Sequence, residues 1–186
     1  MTSELIISIV LGFSLAAAAG FRVFIPLFVL SLSAHFGWFS VSDDWMWMGS
    51  LTAIVLLGAA VVFEVFAYFI PWFDNLLDTA SIPLAAIAGT LIMVATMGDM
   101  NPVFTWALAI IAGGGTAAAI SGTAGATRLT ATATTGGLAN PVIAATETGA
   151  AVTVATASIF SPLLTFLLVV LVLLFIWKLV KRLRRG

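Results

Sequence analysis

The chain is a succession of apolar runs, at residues 5–37, 49–70, 80–98, 103–123, 141–160 and 163–177. In lipid no water meets a bare N–H or C=O, so only helices and closed barrels can span a bilayer. Barrel strands alternate apolar and polar residues over about ten positions, and these runs do not alternate. The expected fold is all-α: a polytopic membrane bundle of about six or seven short spans, since each span needs roughly 20 apolar residues. One transmembrane domain then covers residues 1–186, with a basic tail at 178–186. Composition agrees: 8% of residues are charged, against about a quarter in soluble domains. The opening MTSELIISIVLGFSLAAAAG has no basic n-region, so it reads as a first membrane segment rather than a cleavable signal.

Charge sets the expected topology. Five of the seven cations (Lys178, Lys181, Arg182, Arg184, Arg185) fall in the last nine residues, which places the tail in the cytoplasm by the positive-inside rule. Counting back puts the loops around Asp43 and Asp99 outside and those around Asp74 and Arg128 inside. Residues 5–37 are interrupted by Gly20, Arg22 and Pro26. Two segments, 5–20 and 23–37, put Arg22 at their joint and on the cytoplasmic side, with the N-terminus outside. The loop WFSVSDDWMWMG carries Trp38, Trp45 and Trp47 as an aromatic belt.

The stretch from Ala112 to Gly149 is different in kind. Of its 38 residues 28 are Gly, Ala or Thr, yet it holds Arg128, Asn140 and Glu147. Small residues let helix backbones touch, and isolated charges in lipid are expensive. The stretch is expected to be tightly packed, with broken or re-entrant helices, beside a polar site. Gly20, Pro26, Gly113, Gly114, Gly115, Gly125, Gly136, Gly137 and Pro141 are the expected break or packing positions. No Gly-Lys-Ser/Thr follows the triple glycine, so a phosphate loop is a poor reading. The Thr run (Thr127, Thr130, Thr132, Thr134, Thr135) can bond freed backbone groups or line a wet path. The string Ala19-Gly20-Phe21-Arg22 resembles Ala124 to Arg128, a faint internal repeat of the inverted or parallel kind that transporters use.

Four ionisable residues lie away from the tail and inside or beside apolar runs: Arg22, Glu64, Arg128 and Glu147. Either arginine can hold an anion or a buried carboxylate, or it can snorkel to headgroups. Glu64 and Glu147 must be paired, hydrated or protonated. They serve ion coupling or substrate contact, or form structural pairs with the arginines. The functional use is preferred, because an ion pair kept for stability alone gains little in an apolar medium. With Asn140 these residues form the candidate path. Asp74 and Asp78, four apart, present both carboxylates on one helical face and are a possible cation site. An ordinary solvated turn is the preferred reading, since no second acidic cluster completes a metal site. With no Cys and one His, thiolate and His-rich metal sites are excluded. No cofactor, metal or nucleic acid is called for.

The strings GFRVFIPLFVLSLSAHFGW, EVFAYFIPWFDNLLDTASIPLAAIAGT and AGGGTAAAISGTAGATRLTATATTGGLANPV resemble a family of small bacterial integral membrane proteins. The family is catalogued as domain of unknown function 4126. The resemblance implies a multi-pass protein of the bacterial inner membrane, and places Arg22, Glu64, Asp74, Asp78 and Arg128 within the family's pattern. It lends no substrate. From the residues themselves the expected function is a transporter or channel for a small ion or solute. It would be gradient-driven or passive, and a homo-oligomer in the lipid bilayer. A non-catalytic scaffold or partner subunit is the alternative. A metal-dependent lipid-modifying enzyme using Asp74 and Asp78 ranks third.

Overall fold

The structure, a computed structural model, describes residues 3–68, 70–98 and 100–183; the side chains of 71–76, 78, 179, 180 and 183 lie outside the description. Its eight α-helices are α1 (Ser3–Ala19), α2 (Phe24–His35), α3 (Leu51–Ala67), α4 (Pro71–Thr96), α5 (Pro102–Leu108), α6 (Gly115–Thr135), α7 (Asn140–Phe160) and α8 (Pro162–Leu183). A 3-10 turn covers Asp43–Gly49, and a π-helical segment, Ala109–Gly114, joins α5 to α6 without a break. No strand occurs among the described residues.

Among the described residues, three helical stretches are long and apolar enough to cross a membrane: Thr79–Thr96, Pro102–Thr135 and Asn140–Phe160. The 3-10 turn and α3, bent by 67°, make a fourth if taken as one span, and α1, α2 and Pro162–Lys178 are shorter apolar helices. The chain is a helical membrane protein built from broken and short helices.

The first apolar run divides as its residues dictate. After Ala19 the amides of Gly20 and Phe21 turn back to Ala17 and Ala18, and α2 starts at Phe24. Pro26 falls in the first turn of α2, where a missing N–H is harmless. At Gly20 any Cβ would collide with Ile120 and the Ala117 carbonyl, so glycine lets α1 lie directly on α6. α1 is the central post: Leu11, Leu15 and Ala16 to Ala19 are essentially inaccessible, and it packs on α4, α6, α7 and α8. The surrounding core is mostly alanine (Ala85, Ala88, Ala95, Ala117, Ala151, Ala155), the small-residue packing expected of helices in lipid. α8 lies outside it, burying Thr165 and Val169 and packing Leu173 inward, while Leu163, Leu164, Leu167, Leu168, Leu171 and Leu174 stay exposed.

The loop expected around Asp74 is helical: α4 runs from Pro71 to Thr96, with Pro83 inside it. Gly113, Gly114 and Gly115 do not break the chain. Gly113 instead meets Gly89 backbone to backbone, and Gly114 lies against Thr90 and Ala86, while the π segment carries the helix past them. Gly115 and Gly125 have open space where a Cβ would stand, so neither breaks nor packs. The break comes at Gly136 and Gly137, whose φ values of 62° and 89° suit glycine. Asn140 and Pro141 then open α7.

One end of the bundle gathers the 3-10 turn. Ser31 Oγ donates to the Met48 carbonyl at 2.6 Å, the His35 ring meets the Gly49 carbonyl at 2.8 Å, and Ser42 N donates to Ala95 O. Trp38 lies against Phe36 and Phe160 there. The other end holds the α1–α2 joint and the end of α3.

Candidate polar site at the helix joint

A short helix whose first amides are buried must find acceptors for them. The joint before α2 supplies none of its own, and Glu64 reaches across from α3. Its Oε1 accepts from Val23 N at 2.7 Å and its Oε2 from Phe24 N at 3.1 Å. Both oxygens are thus committed to an N-terminal cap provided by another helix, where a negative charge also favours the helix dipole.

Arg22, which precedes that cap, turns toward α7. Its Nε donates to Thr148 Oγ1 at 3.0 Å and its Nη2 to the Ala144 carbonyl at 2.9 Å. Glu147, about 10 Å along α7 by its helical rise, is held by Arg128 of α6. Nε donates to Oε1 at 3.2 Å and Nη2 to Oε2 at 2.7 Å, the bidentate geometry that arginine and carboxylate favour. Arg22 Nη2 stands 3.6 Å from the same Glu147 oxygen. Tyr68, at the end of α3, lies beneath both guanidinium groups, 3.6 Å from that of Arg22 and 4.5 Å from that of Arg128. A desolvated cation over an aromatic face gains on the order of 2 kcal/mol. All five side chains are buried, Arg22 being 1% exposed.

Arg22, Glu64, Arg128 and Glu147 are therefore brought together from the joint and three helices. The two arginines reach the same ring from unlike settings, Arg22 after the end of α1 and Arg128 inside α6, so the resembling strings around them do not share a local structure. Asn140 is elsewhere, half-buried and bonded to the exposed Thr132 across the α6–α7 turn. Of the Thr run, Thr135 serves a freed backbone group, accepting from Ala139 N at 3.2 Å beyond the Gly136–Gly137 break. Thr127, Thr130, Thr134 and Thr135 bond carbonyls four residues back in their own helix. The side chains of Asp74 and Asp78 lie outside the described residues; among those described, no group of three or more potential metal ligands forms.

Two participants had gone unmarked in the sequence. Tyr68 is the only tyrosine, a rarity that was the available signal. Thr148 gave none, being one threonine among many. At the opposite end, Glu4, Asp43, Asp44, Thr96 and Trp106 are among the residues around a cavity of about 1190 Å³. Glu4 was not tied to the aspartates because some forty residues of sequence separate them. A shallower apolar groove of about 480 Å³ runs along Ile87, Trp106, Ile110, Gly114 and Ala118. Neither is lined by the arginine cluster.

Residues 9–182 match a family described as Domain of unknown function (DUF4126). No curated protein and no solved structure matches the chain significantly.

Proposed function

We propose, from the premise that the chain belongs to the DUF4126 family, that it moves a small ion or solute across the bacterial inner membrane. Movement is gradient-driven or passive. The carrying observation is the burial of two arginines and two glutamates from separate segments on one patch around Tyr68. Taking four charged groups out of water is expensive, and apolar packing of the same volume stabilises a fold as well or better. A cluster retained against that cost is the expected mark of a translocation site. In this reading Glu147 is the carboxylate that exchanges partners, Arg22 and Arg128 are its counter-charges, and Glu64 holds the joint from which Arg22 projects. The tail is cytoplasmic. The apolar groove beside Gly114 and Ala118 supports a homo-oligomer.

Flux measured in proteoliposomes under an imposed ion or solute gradient tests the proposal. Folded Glu64→Gln and Glu147→Gln proteins are expected to lose most of it. Rates equal to wild type in both would end the transport reading.

A second reading is favoured by the bidentate Arg128–Glu147 pair, which ties α6 to α7. Such a clasp equally suits a non-catalytic scaffold that presents its small-residue faces to another membrane protein. Co-purification of one partner in fixed ratio, with no flux, would establish it.

A further inference from the structure

Arg22 carries five N–H groups on a fork that cannot bend. Nε and Nη2 are engaged by Thr148 and Ala144, and the guanidinium lies 3.6 Å from the Tyr68 ring centre. Nη1 is buried and, among the described residues, meets no hydrogen-bond acceptor. Among those residues the charge is matched only at a distance. Glu147 is gripped by Arg128, and the oxygen nearest Arg22 is 3.6 Å away. Glu64 has given both oxygens to the α2 amides. A buried, charged donor left without an acceptor is a costly arrangement that native structures seldom keep.

We infer that Arg22 Nη1, at the α1–α2 joint beside Tyr68 and α7, anchors a binding site for a small monovalent anion. The inference rests on the transport reading and narrows its substrate class. The chemistry follows from which edge of the fork is open. The Nε–Nη2 side, which grips an oxyanion bidentately, is occupied. Nη1 remains with both its N–H groups beside one free N–H of Nη2, and a lone buried guanidinium suits a singly charged anion such as chloride or nitrate. Sulfate and phosphate bring a second negative charge into a buried site, which is costly without further cations, and are expected to bind far more weakly. Glu64, by fixing Val23 and Phe24, positions Arg22 without touching the ligand.

The test uses the full chain purified in detergent, with sodium gluconate replaced stepwise by sodium chloride or nitrate at constant ionic strength. The thermal unfolding midpoint is followed. Ligand that binds only the folded state raises that midpoint in a saturable way. A saturable rise with chloride or nitrate, absent with sulfate, is expected for wild type. In Arg22→Lys the apparent affinity is expected to fall about tenfold, the worth of one hydrogen bond to a charged group. Should Arg22→Lys not fold, Thr148→Val leaves the charge and releases Nε, and the affinity is again expected to fall. No saturable rise in wild type would mean that water meets Nη1 and would overturn the inference. A rise unchanged in the variants would place the anion elsewhere and overturn it too. Saturable stabilisation without flux would keep this site and remove the transport reading. Cation flux without anion stabilisation would do the reverse.

Discussion

Tyr68 and Glu147 decide how the arginines are held. Glu147 gives both oxygens to Arg128, so its loss leaves a buried guanidinium facing an amide. Removing one partner of a buried pair typically destabilises by about 3–5 kcal/mol. Glu64 accepts from two neutral amides, and a glutamine keeps one acceptor, so its replacement should cost about 1–3 kcal/mol. Thermal unfolding in one detergent is expected to rank wild type above Glu64→Gln, and Glu64→Gln above Glu147→Gln. The reverse order would show that the cap on α2, and not the ion pair, secures this end. At this scale the sequence was informative about charges and silent about neutral groups. An arginine among apolar residues announces itself. A threonine that happens to face Arg22 does not, because its partner lies more than a hundred residues away.

Glycine means different things in different helices. Gly113 is pressed against Gly89, so an added methyl must push α4 and the π segment apart; overpacking of this kind costs about 1–3 kcal/mol. Gly125 has empty space at the same atom, and alanine there should stabilise by about 0.5–1 kcal/mol through helix propensity. Gly113→Ala is therefore expected to lower the unfolding midpoint and Gly125→Ala to hold or raise it. Equal effects would contradict the packing described. The same pair shows where local reading stops. Gly20, Arg22 and Pro26 mark the first joint because they interrupt the apolar run locally, whatever Gly20 and Arg22 go on to meet in α6 and α7. Gly136 and Gly137 mark the later break for the same reason. The triple glycine could break its helix or pack it, and Gly89 in another helix decides for packing. The loop expected around Asp74 is instead the first part of α4, which starts at Pro71.

For the whole molecule, the two ends of the bundle are chemically unlike. One gathers Glu4, Asp43 and Asp44 around the larger cavity; the other has the arginine joint and continues into the basic tail. The proposed orientation puts the acidic end outside. Since the chain has no cysteine, single replacements report it cleanly. Ser40→Cys is expected to react with an impermeant maleimide in intact cells, and Gly137→Cys only after the membrane is opened. Labelling of Gly137→Cys in intact cells would invert the topology. The helical, membrane character of the chain was legible from its apolar runs. Which helix stands in the middle was not, because α1 and α8 are both apolar over most of their length and differ in bulk, alanine against leucine.

That central position has a consequence for how the protein is made. The helix that emerges from the ribosome first is the one that ends enclosed by the others, and α6 to α8 follow it by roughly ten seconds at ordinary elongation rates. Until then its alanine face and Arg22 sit in the bilayer with their final neighbours unsynthesised. Assembly therefore proceeds from the centre outward, and the first hairpin waits in the bilayer until the last third of the polypeptide closes around it.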